Sequence, residues 1–251
     1  MRTKLRSIRF ISGVGLVTLL AACGGTTARA ATQAKPLDAR MCTPRSVRAV
    51  APEAATVTAP VTAFRSPGGA HIERFARLNV NGAPMVFGVL GERVDVHCRA
   101  TWLHVELPIR PNGATGWVRA DHVDRVPVHT RIVVDLSERS VSFYRRDKLV
   151  LRSVAAVGST ATPTPVGRYY VNQLLVPSDT SGAFGPGAIG ISAFSPVLTG
   201  WAQGGPVAIH GTNEPWSIGR AVSNGCIRLH NPVLKKLFAQ TPAGTPVIIK
   251  T

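Results

Sequence analysis

The stretch HGTNEPWSIGRAVSNGCIRLHN, residues 210–231, places one thiol and two imidazoles in a segment rich in glycine and polar residues. Acyl transfer from an amide requires a nucleophile stronger than water, and a cysteine provides one when a neighbouring imidazole accepts its proton. His210 and Cys226 are the natural pair. The chain must turn back between them, and Pro215 and Gly219 favour such a turn. We therefore predict that Cys226 is a nucleophile and His210 its base.

The turn that precedes the predicted nucleophile supplies further candidates. An attacked carbonyl becomes an oxyanion, and the backbone N–H groups of Asn224, Gly225 and Cys226 are predicted to stabilise it. Ser223 is expected to shape this turn or to contact substrate. Arg228 is expected either to bind a substrate carboxylate through its guanidinium or to brace the loop.

Two other interpretations of these residues remain open. An inert buried thiol and a core histidine are the usual fate of a lone Cys or His, but the Ser-Asn-Gly-Cys segment is polar, unlike the surroundings of an inert thiol. A zinc site built from His210, Cys226 and His230 would make a hydrolase. Neither a His-x-x-x-Asp pattern nor a Cys-x-x-Cys pair accompanies these residues, so no metal site is predicted.

The amino terminus is predicted to be an export signal. Four basic residues among the first nine precede an apolar run at 10–20, which is shorter than the about 20 residues of a membrane span. The tetrapeptide LAAC at 20–23 resembles the lipobox of bacterial lipoproteins, in which the cysteine is lipidated after cleavage. We expect a signal peptide at 1–22 and a lipidated Cys23; without lipidation the protein would be secreted.

The remaining three cysteines cannot all pair within one chain. Cys42 and Cys98 lie in the amino-terminal half, and we predict that they form a disulfide in an oxidising compartment, which leaves Cys226 as a free thiol. The net charge of +16 suits polyanions, but export removes nucleic acid as a partner. The charge indicates either a solvated surface or attraction to anionic wall polymers.

The composition along the chain predicts two β-rich domains behind a tether. Residues 23–50 include an Ala-, Thr- and Gly-rich stretch typical of a flexible linker. Residues 51–128 contain short apolar runs split by Gly and Pro, and they look like a small bacterial Src-homology-type β-barrel of the kind found in wall proteins. We expect Trp102 and Trp117 to pack in this barrel rather than to form a ligand platform.

The second predicted domain spans residues 130–251. Residues 132–136 and 247–249 are predicted strands, and loops rich in Pro, Gly and Ser occupy 160–205. One helix is expected after Asn231, with Asn231 as its cap, Pro232 in the first helical position and Gly244 at its end. The predicted fold class is therefore mainly β with one prominent helix.

The His-Gly-Thr-Asn…Ser-x-Gly-Cys-Ile-Arg pattern closely resembles the signature of the L,D-transpeptidase catalytic domain, the YkuD family, over residues 131–250. The resemblance implies a β-sandwich or mixed sheet, with Cys226 as nucleophile and His210 as base. It also implies that the carbonyl of Gly211 orients the imidazole and that the turn at Gly225 forms the oxyanion hole. Many members carry a histidine where this chain has Asn224.

The resemblance implies a reaction on the peptidoglycan stem peptide. Cys226 would attack the amide between the third, diamino-acid residue and the terminal D-alanine of a tetrapeptide stem, and an amine of a second stem would resolve the thioester. No metal or cofactor is implied, and carbapenem-type beta-lactams are expected to acylate Cys226. The alternatives are an L,D-carboxypeptidase and a non-catalytic wall-binding lipoprotein. We expect an exported protein that is lipid-anchored to the bacterial cell envelope, with stem peptides as partners.

Overall fold

The computed structural model describes residues 42–43 and 47–251, so the predicted signal peptide, Cys23 and most of the predicted tether lie outside the described residues. Within that range strands dominate, and there is one α-helix, α1 (Asn231–Phe238). The prediction of a mainly β fold with one prominent helix is confirmed. The strands are β1 (Val47–Arg48), β2 (Glu53–Val57), β3 (Val61–Phe64), β4 (His71–Phe75), β5 (Val86–Val94), β6 (Ala100–Glu106), β7 (Thr115–Arg119), β8 (Val123–Pro127), β9 (Thr130–Asp135), β10 (Ser140–Arg145), β11 (Lys148–Val154), β12 (Val157–Gly158), β13 (Gly167–Leu175), β14 (Ala188–Phe194), β15 (Pro206–His210), β16 (Ala221–Ser223), β17 (Ile227–Arg228) and β18 (Pro246–Lys250).

Strands β1 to β8 form one antiparallel sheet in the order β4-β3-β7-β6-β5-β2-β8, with β1 added against β5. In β6, Leu103 and Val105 are fully buried on one face, because successive side chains of a strand point to opposite sides. Trp117 is also buried, and its ring stacks on that of His104 with the centroids 4.9 Å apart. The apolar alternation along residues 102–107 thus builds the core of this sheet.

The amino-terminal end of the described chain is fixed to this sheet. Cys42 and Cys98 form a disulfide with their Cα atoms 5.2 Å apart. Strand β1 pairs with β5, where Val47 lies opposite Arg93. The last residues of the segment expected to be a tether are therefore part of the folded structure. In the described residues, no helix has the length and apolar character needed to cross a membrane.

The remaining strands form a mixed sheet in the order β11-β10-β9-β18-β13-β14-β15-β17 and a small sheet of β12 and β16. Pairs β9–β18 and β15–β17 are parallel, and the other pairs of the large sheet are antiparallel. Ile189, Ile209 and Ile227 of β14, β15 and β17 are fully buried in the core beneath this sheet. Burial of these β-branched side chains fixes which face of the three strands is turned away from the core.

Helix α1 covers the same core with Leu234 and Leu237. The prediction that Asn231 caps this helix is wrong, because His230 occupies the N-cap position and Asn231 is the first helical residue. The Asn231 side chain instead accepts a hydrogen bond from the backbone N–H of Thr212 at 2.8 Å. The helix ends at Phe238, earlier than the expected end at Gly244.

The two large sheets are joined by buried polar contacts. Tyr170 donates its hydroxyl hydrogen to the carbonyl oxygen of Val86 at 3.0 Å, and Ser192 donates to a carboxylate oxygen of Glu106 at 2.6 Å. Burial raises the pKa of Glu106 to about 7, although the Ser192 hydrogen bond and the charge of Arg168 act in the opposite direction. A buried carboxyl group at this junction therefore holds its proton to a higher pH than it would in the unfolded chain.

The substitution Glu106→Gln is expected to flatten the pH dependence of stability. The unfolded chain releases the Glu106 proton near its usual pKa of 4.5 and the folded chain near 7, so the wild type loses stability as the pH rises through this interval. Relative to the variant, the free energy of unfolding of the wild type should fall by on the order of 3 kcal/mol between pH 4 and 8. Denaturant unfolding across this pH range measures the difference. Glu73→Gln on the exposed surface is the control, and parallel profiles for wild type and Glu106→Gln would contradict the prediction.

Candidate active site

The parallel pairing of β15 and β17 brings the predicted catalytic residues to one face of the sheet. Ile209 lies opposite Ile227, and His210 lies opposite Arg228. Because alternate residues of a strand point to opposite faces, His210 and Arg228 face away from the core that holds the two isoleucines. Cys226 comes directly before β17 and shares the face of Arg228.

His210 is buried, with only 4% of its surface exposed. Its Nδ1–H donates a hydrogen bond to the carbonyl oxygen of Gly211 at 2.5 Å, as the resemblance implied. A carbonyl oxygen only accepts hydrogen bonds, so Nδ1 carries the proton and Nε2 is the basic nitrogen. Burial lowers the pKa of His210 to about 4, the Gly211 contact opposes this change, and the charge of Arg228 adds to it. The imidazole is therefore neutral at physiological pH.

Cys226 is the free cysteine of the described chain and is partly exposed. Burial raises the pKa of its thiol, while a hydrogen bond from the backbone of Ala208 and the charge of Arg228 act to lower it. The sulfur thus lies against β15, two residues before His210. The resting site holds a neutral thiol beside a neutral imidazole, rather than an ion pair.

The two side chains are neighbours without a direct hydrogen bond in the part of the chain that the structure describes. Strands lie about 4.8 Å apart and rise about 3.3 Å per residue, so a two-residue offset separates the Cα atoms of His210 and Cys226 by about 8 Å. Side chains that point to the same face can span this separation. In proteins without bound substrate, catalytic hydrogen bonds are often long and tighten only in the substrate complex.

The turn before Cys226 is held from inside by Ser223. The Ser223 hydroxyl donates to the carbonyl oxygen of Cys226 at 2.5 Å and accepts from the N–H of Gly225 at 3.2 Å. Gly225 has a φ of +104°, a conformation that a residue with a side chain adopts only with strain. Ser223 therefore shapes the turn, and one of the three N–H groups predicted for the oxyanion hole is already engaged. Asn224 is exposed at its tip.

The Thr-Pro-Thr-Pro turn, residues 162–165, holds the same loop from outside. Thr162 donates its hydroxyl hydrogen to the carbonyl oxygen of Ser223, and Thr164 donates to that of Gly225, both at 2.9 Å. The sequence placed this segment among the loops rich in Pro, Gly and Ser without indicating which residues it contacts. The two threonines fix the backbone next to Cys226, the predicted nucleophile.

Arg228 braces the site. Its guanidinium forms an ion pair with Glu214, and its backbone pairs with Ala156. Of the two roles left open for Arg228, this contact supports the structural one. The same guanidinium places a positive charge next to both His210 and Cys226, which affects the pKa of each.

Three further contacts at the site were not predicted from the sequence. The ring of Phe184 lies on the imidazole of His210 with centroids 4.9 Å apart, although Phe184 itself is 48% exposed. A Cβ atom on Gly185 would come within 2.4 Å of the Asn231 side-chain oxygen, so glycine is required there. Asn231 in turn holds Thr212. The high glycine and proline content of 182–187 indicated a shaped loop but no partner for it.

The zinc interpretation finds no support in the positions of its residues. His230 is exposed at the N-cap of α1. Among residues 42–43 and 47–251, no group of three or more His, Cys, Asp or Glu side chains is gathered closely enough to hold a metal ion.

The carboxy-terminal part of the chain is similar to known proteins. The family described as the L,D-transpeptidase catalytic domain, YkuD, matches residues 129–249. The relative named L,D-transpeptidase YkuD in Bacillus licheniformis is 39% identical over 127 residues, which cover 50% of this chain and 67% of the relative. Its namesake in Bacillus subtilis is 34% identical over 125 residues, covering 49% of this chain and 66% of the relative. The chain therefore belongs to the L,D-transpeptidase (YkuD) family, and it spans about two thirds of the length of these relatives.

A solved structure of L,D-transpeptidase 3 from Mycobacterium tuberculosis, in complex with a faropenem-derived adduct, is also similar. It is 15% identical in sequence, with a TM-score of 0.43, and the match covers 85% of this chain and 99% of that chain.

Removal of the ring that covers the imidazole should restore its basicity. In Phe184→Ala, water reaches His210 and the desolvation that lowers its pKa to about 4 is reduced, so the pKa should rise toward the usual 6.5. Titration of the His210 ring protons by NMR measures this value. The control is Trp201→Ala, which removes an exposed aromatic residue elsewhere. An unchanged His210 pKa in Phe184→Ala would show that Phe184 does not set it.

Proposed function

We propose that this protein is a peptidoglycan L,D-transpeptidase that works through a thioester on Cys226. The observation that carries the proposal is the placement of Cys226 and His210 on one sheet face, with Nδ1 of the imidazole held by the carbonyl of Gly211. This contact leaves Nε2 free to act as the base that accepts the thiol proton. Membership of the L,D-transpeptidase family supports the same chemistry.

The first half of the reaction forms the thioester. His210 Nε2 takes the thiol proton as Sγ of Cys226 attacks the carbonyl carbon of the third, diamino-acid residue of a tetrapeptide stem. The imidazolium then gives this proton to the leaving nitrogen, the C–N bond breaks and D-alanine departs. An imidazolium with a pKa of about 4 is a stronger acid than one with the usual pKa of 6.5, which favours this second proton transfer.

The second half transfers the acyl group. The amine of a second stem attacks the thioester carbonyl, the C–S bond breaks and the proton lost by the amine returns the thiolate to the thiol. The product is a cross-link between two third-position residues. Water in place of the amine would make the protein an L,D-carboxypeptidase, and product analysis separates the two outcomes.

The oxyanion of each tetrahedral intermediate is assigned to backbone donors of the turn before Cys226. Because the N–H of Gly225 bonds to Ser223, we assign the hole to the N–H groups of Cys226 and Asn224. The missing side chain of Gly225 allows the substrate carbonyl to approach. Asn224 contributes through its backbone in this assignment, so a histidine at that position is not required.

The beta-lactam ring carries a strained acyl group that the same thiol can open. Incubation of the lipidated protein with a carbapenem should add the mass of one drug molecule. Cys226→Ala should show no adduct, since Cys42 and Cys98 are joined in the disulfide and the thiol of Cys23 is blocked by the proposed lipid. Intact-protein mass spectrometry measures this. In cells, Cys226→Ala should lose the cross-links between third-position residues, measured by muropeptide analysis. An adduct on Cys226→Ala would contradict Cys226 as the acylated residue. An unchanged muropeptide profile with retained wall binding would favour the non-catalytic wall-binding lipoprotein.

We also propose that the protein is exported and anchored through a lipid on Cys23, with residues 51–128 acting as a Src-homology-type wall-associated barrel. The signal-like amino terminus and the lipobox support export and lipidation, and the Cys42–Cys98 disulfide is of the kind that persists in oxidising compartments. Cys23→Ser should abolish incorporation of labelled fatty acid and move the protein from the membrane fraction to the soluble fraction. Unchanged labelling would contradict the anchor.

A further inference from the structure

A cleft lined by amide side chains lies between the two large sheets, outside the candidate active site. It has a volume of about 410 Å³, which falls in the range of small-molecule sites. Five of its lining side chains are amides, and its one charged side chain is that of Arg74. The amides are Asn79, Asn81, Asn172, Gln173 and Gln203.

Most of these amides are already ordered by one another. Asn79 and Asn81 donate to the side-chain oxygen of Gln173 at 2.8 and 3.0 Å. Gln203 donates to the side-chain oxygen of Asn81 at 2.9 Å. The network links the amino-terminal sheet's β4–β5 loop to β13 and to the segment before β15. Such a network presents fixed donors and acceptors without a net charge.

One amide lacks its partner. The side-chain oxygen of Asn172 is buried and accepts no hydrogen bond from the described residues. A buried acceptor without a protein donor is unfavourable by about 1–3 kcal/mol. This acceptor belongs to a residue in the wall of the cleft. The exposed side chains of Leu78 and Val80 border the same cleft and add apolar surface. Neutral amides beside apolar side chains suit a ligand with hydroxyl and acetamido groups.

The register places this cleft on the sheet face that carries Cys226. Gln173 lies opposite Gly190, Gly190 lies opposite Ala208, and the sulfur of Cys226 contacts the backbone of Ala208. A Cβ on Gly190 would meet the side chain of Gln173 at 2.6 Å, so this amide rests on the strand where glycine leaves room for it. Three strand spacings separate Cys226 from Gln173, a distance of about 14 Å.

This distance fits one part of the substrate in the proposed reaction. On one side of the attacked carbonyl the stem has only D-alanine, which is too short to reach the cleft. On the other side, three residues and a lactyl link lead to the amino sugar, and they extend over about 13 Å. We propose that the amide-lined cleft binds the N-acetylated sugar that carries the donor stem. This inference rests on the proposed function, and it adds the glycan to the part of the substrate that the protein recognises.

Binding can be tested without catalysis. The full-length Cys226→Ala protein is titrated with the peptide-free N-acetylglucosaminyl–N-acetylmuramic acid disaccharide, and the side-chain amide signals are followed by NMR. We expect saturable shifts of Asn81, Gln173 and Gln203, and a roughly tenfold weaker affinity when Asn81→Ala and Gln203→Ala are added, since each hydrogen bond contributes modestly. The matched control, Gln240→Ala, removes an amide outside the cleft.

The outcomes separate this inference from the proposed function. If the cleft signals do not shift, or shift with the free tetrapeptide and not with the disaccharide, the sugar assignment is overturned. If they shift as expected while the wild type forms no thioester adduct, the cleft stands and the enzymatic proposal fails. If the enzyme is active, its kcat/KM should be higher for a disaccharide-tetrapeptide than for the free tetrapeptide. The ratio of the two kcat/KM values should fall toward one in the Asn81→Ala, Gln203→Ala variant and stay unchanged in Gln240→Ala.

Discussion

The site depends on the parallel pairing of β15 with β17, in which Ile209 lies opposite Ile227. These two side chains are buried in the core. Because successive side chains of a strand point to opposite faces, His210 and Arg228 must lie on the face away from the core. A shift of one residue in this register would turn His210 into the core and separate it from Cys226. Core packing thus sets the geometry of the candidate active site.

Around this strand pair, hydrogen bonds to backbone carbonyl groups orient the imidazole and the turn before Cys226. The carbonyl of Gly211 fixes the imidazole tautomer, and the carbonyls of Ser223, Gly225 and Cys226 are held by hydroxyl groups. The carboxylate nearest in sequence, Glu214, is used by Arg228 instead. A buried carbonyl orients the ring without adding a negative charge, which is consistent with the low pKa of His210.

The sequence predicted those parts of the structure that follow from local pattern. The mainly β fold, the helix after the Cys226 motif and the two residues of the candidate catalytic pair could be inferred from alternation, apolar stripes and a polar Cys-containing loop. The roles of Phe184, Gly185 and Asn231 could not, because each acts on a residue more than ten positions away. Asn231 illustrates the limit: its type and position suggested a helix cap, but Thr212 competes for the same oxygen.

The amide cleft could not be predicted from local sequence patterns either. Asn79 and Asn81 are about ninety residues from Gln173, and isolated asparagines in a glycine-containing loop are ordinary turn residues. Their common partner is visible only when the two sheets are assembled. The cleft therefore forms only where the amino-terminal sheet meets the carboxy-terminal sheet, and the carboxy-terminal domain alone would lack it.

The disulfide has a mechanical consequence. Cys98 lies in the turn between β5 and β6, and β6 is the middle strand of the amino-terminal sheet. Strand β1, in contrast, pairs through only two residues. If a pulling force on the chain ahead of residue 42 reached β1, it would detach this short strand from β5. The disulfide transmits the force to the β5–β6 hairpin instead. The fold can therefore bear tension from its amino-terminal end while β1 stays paired.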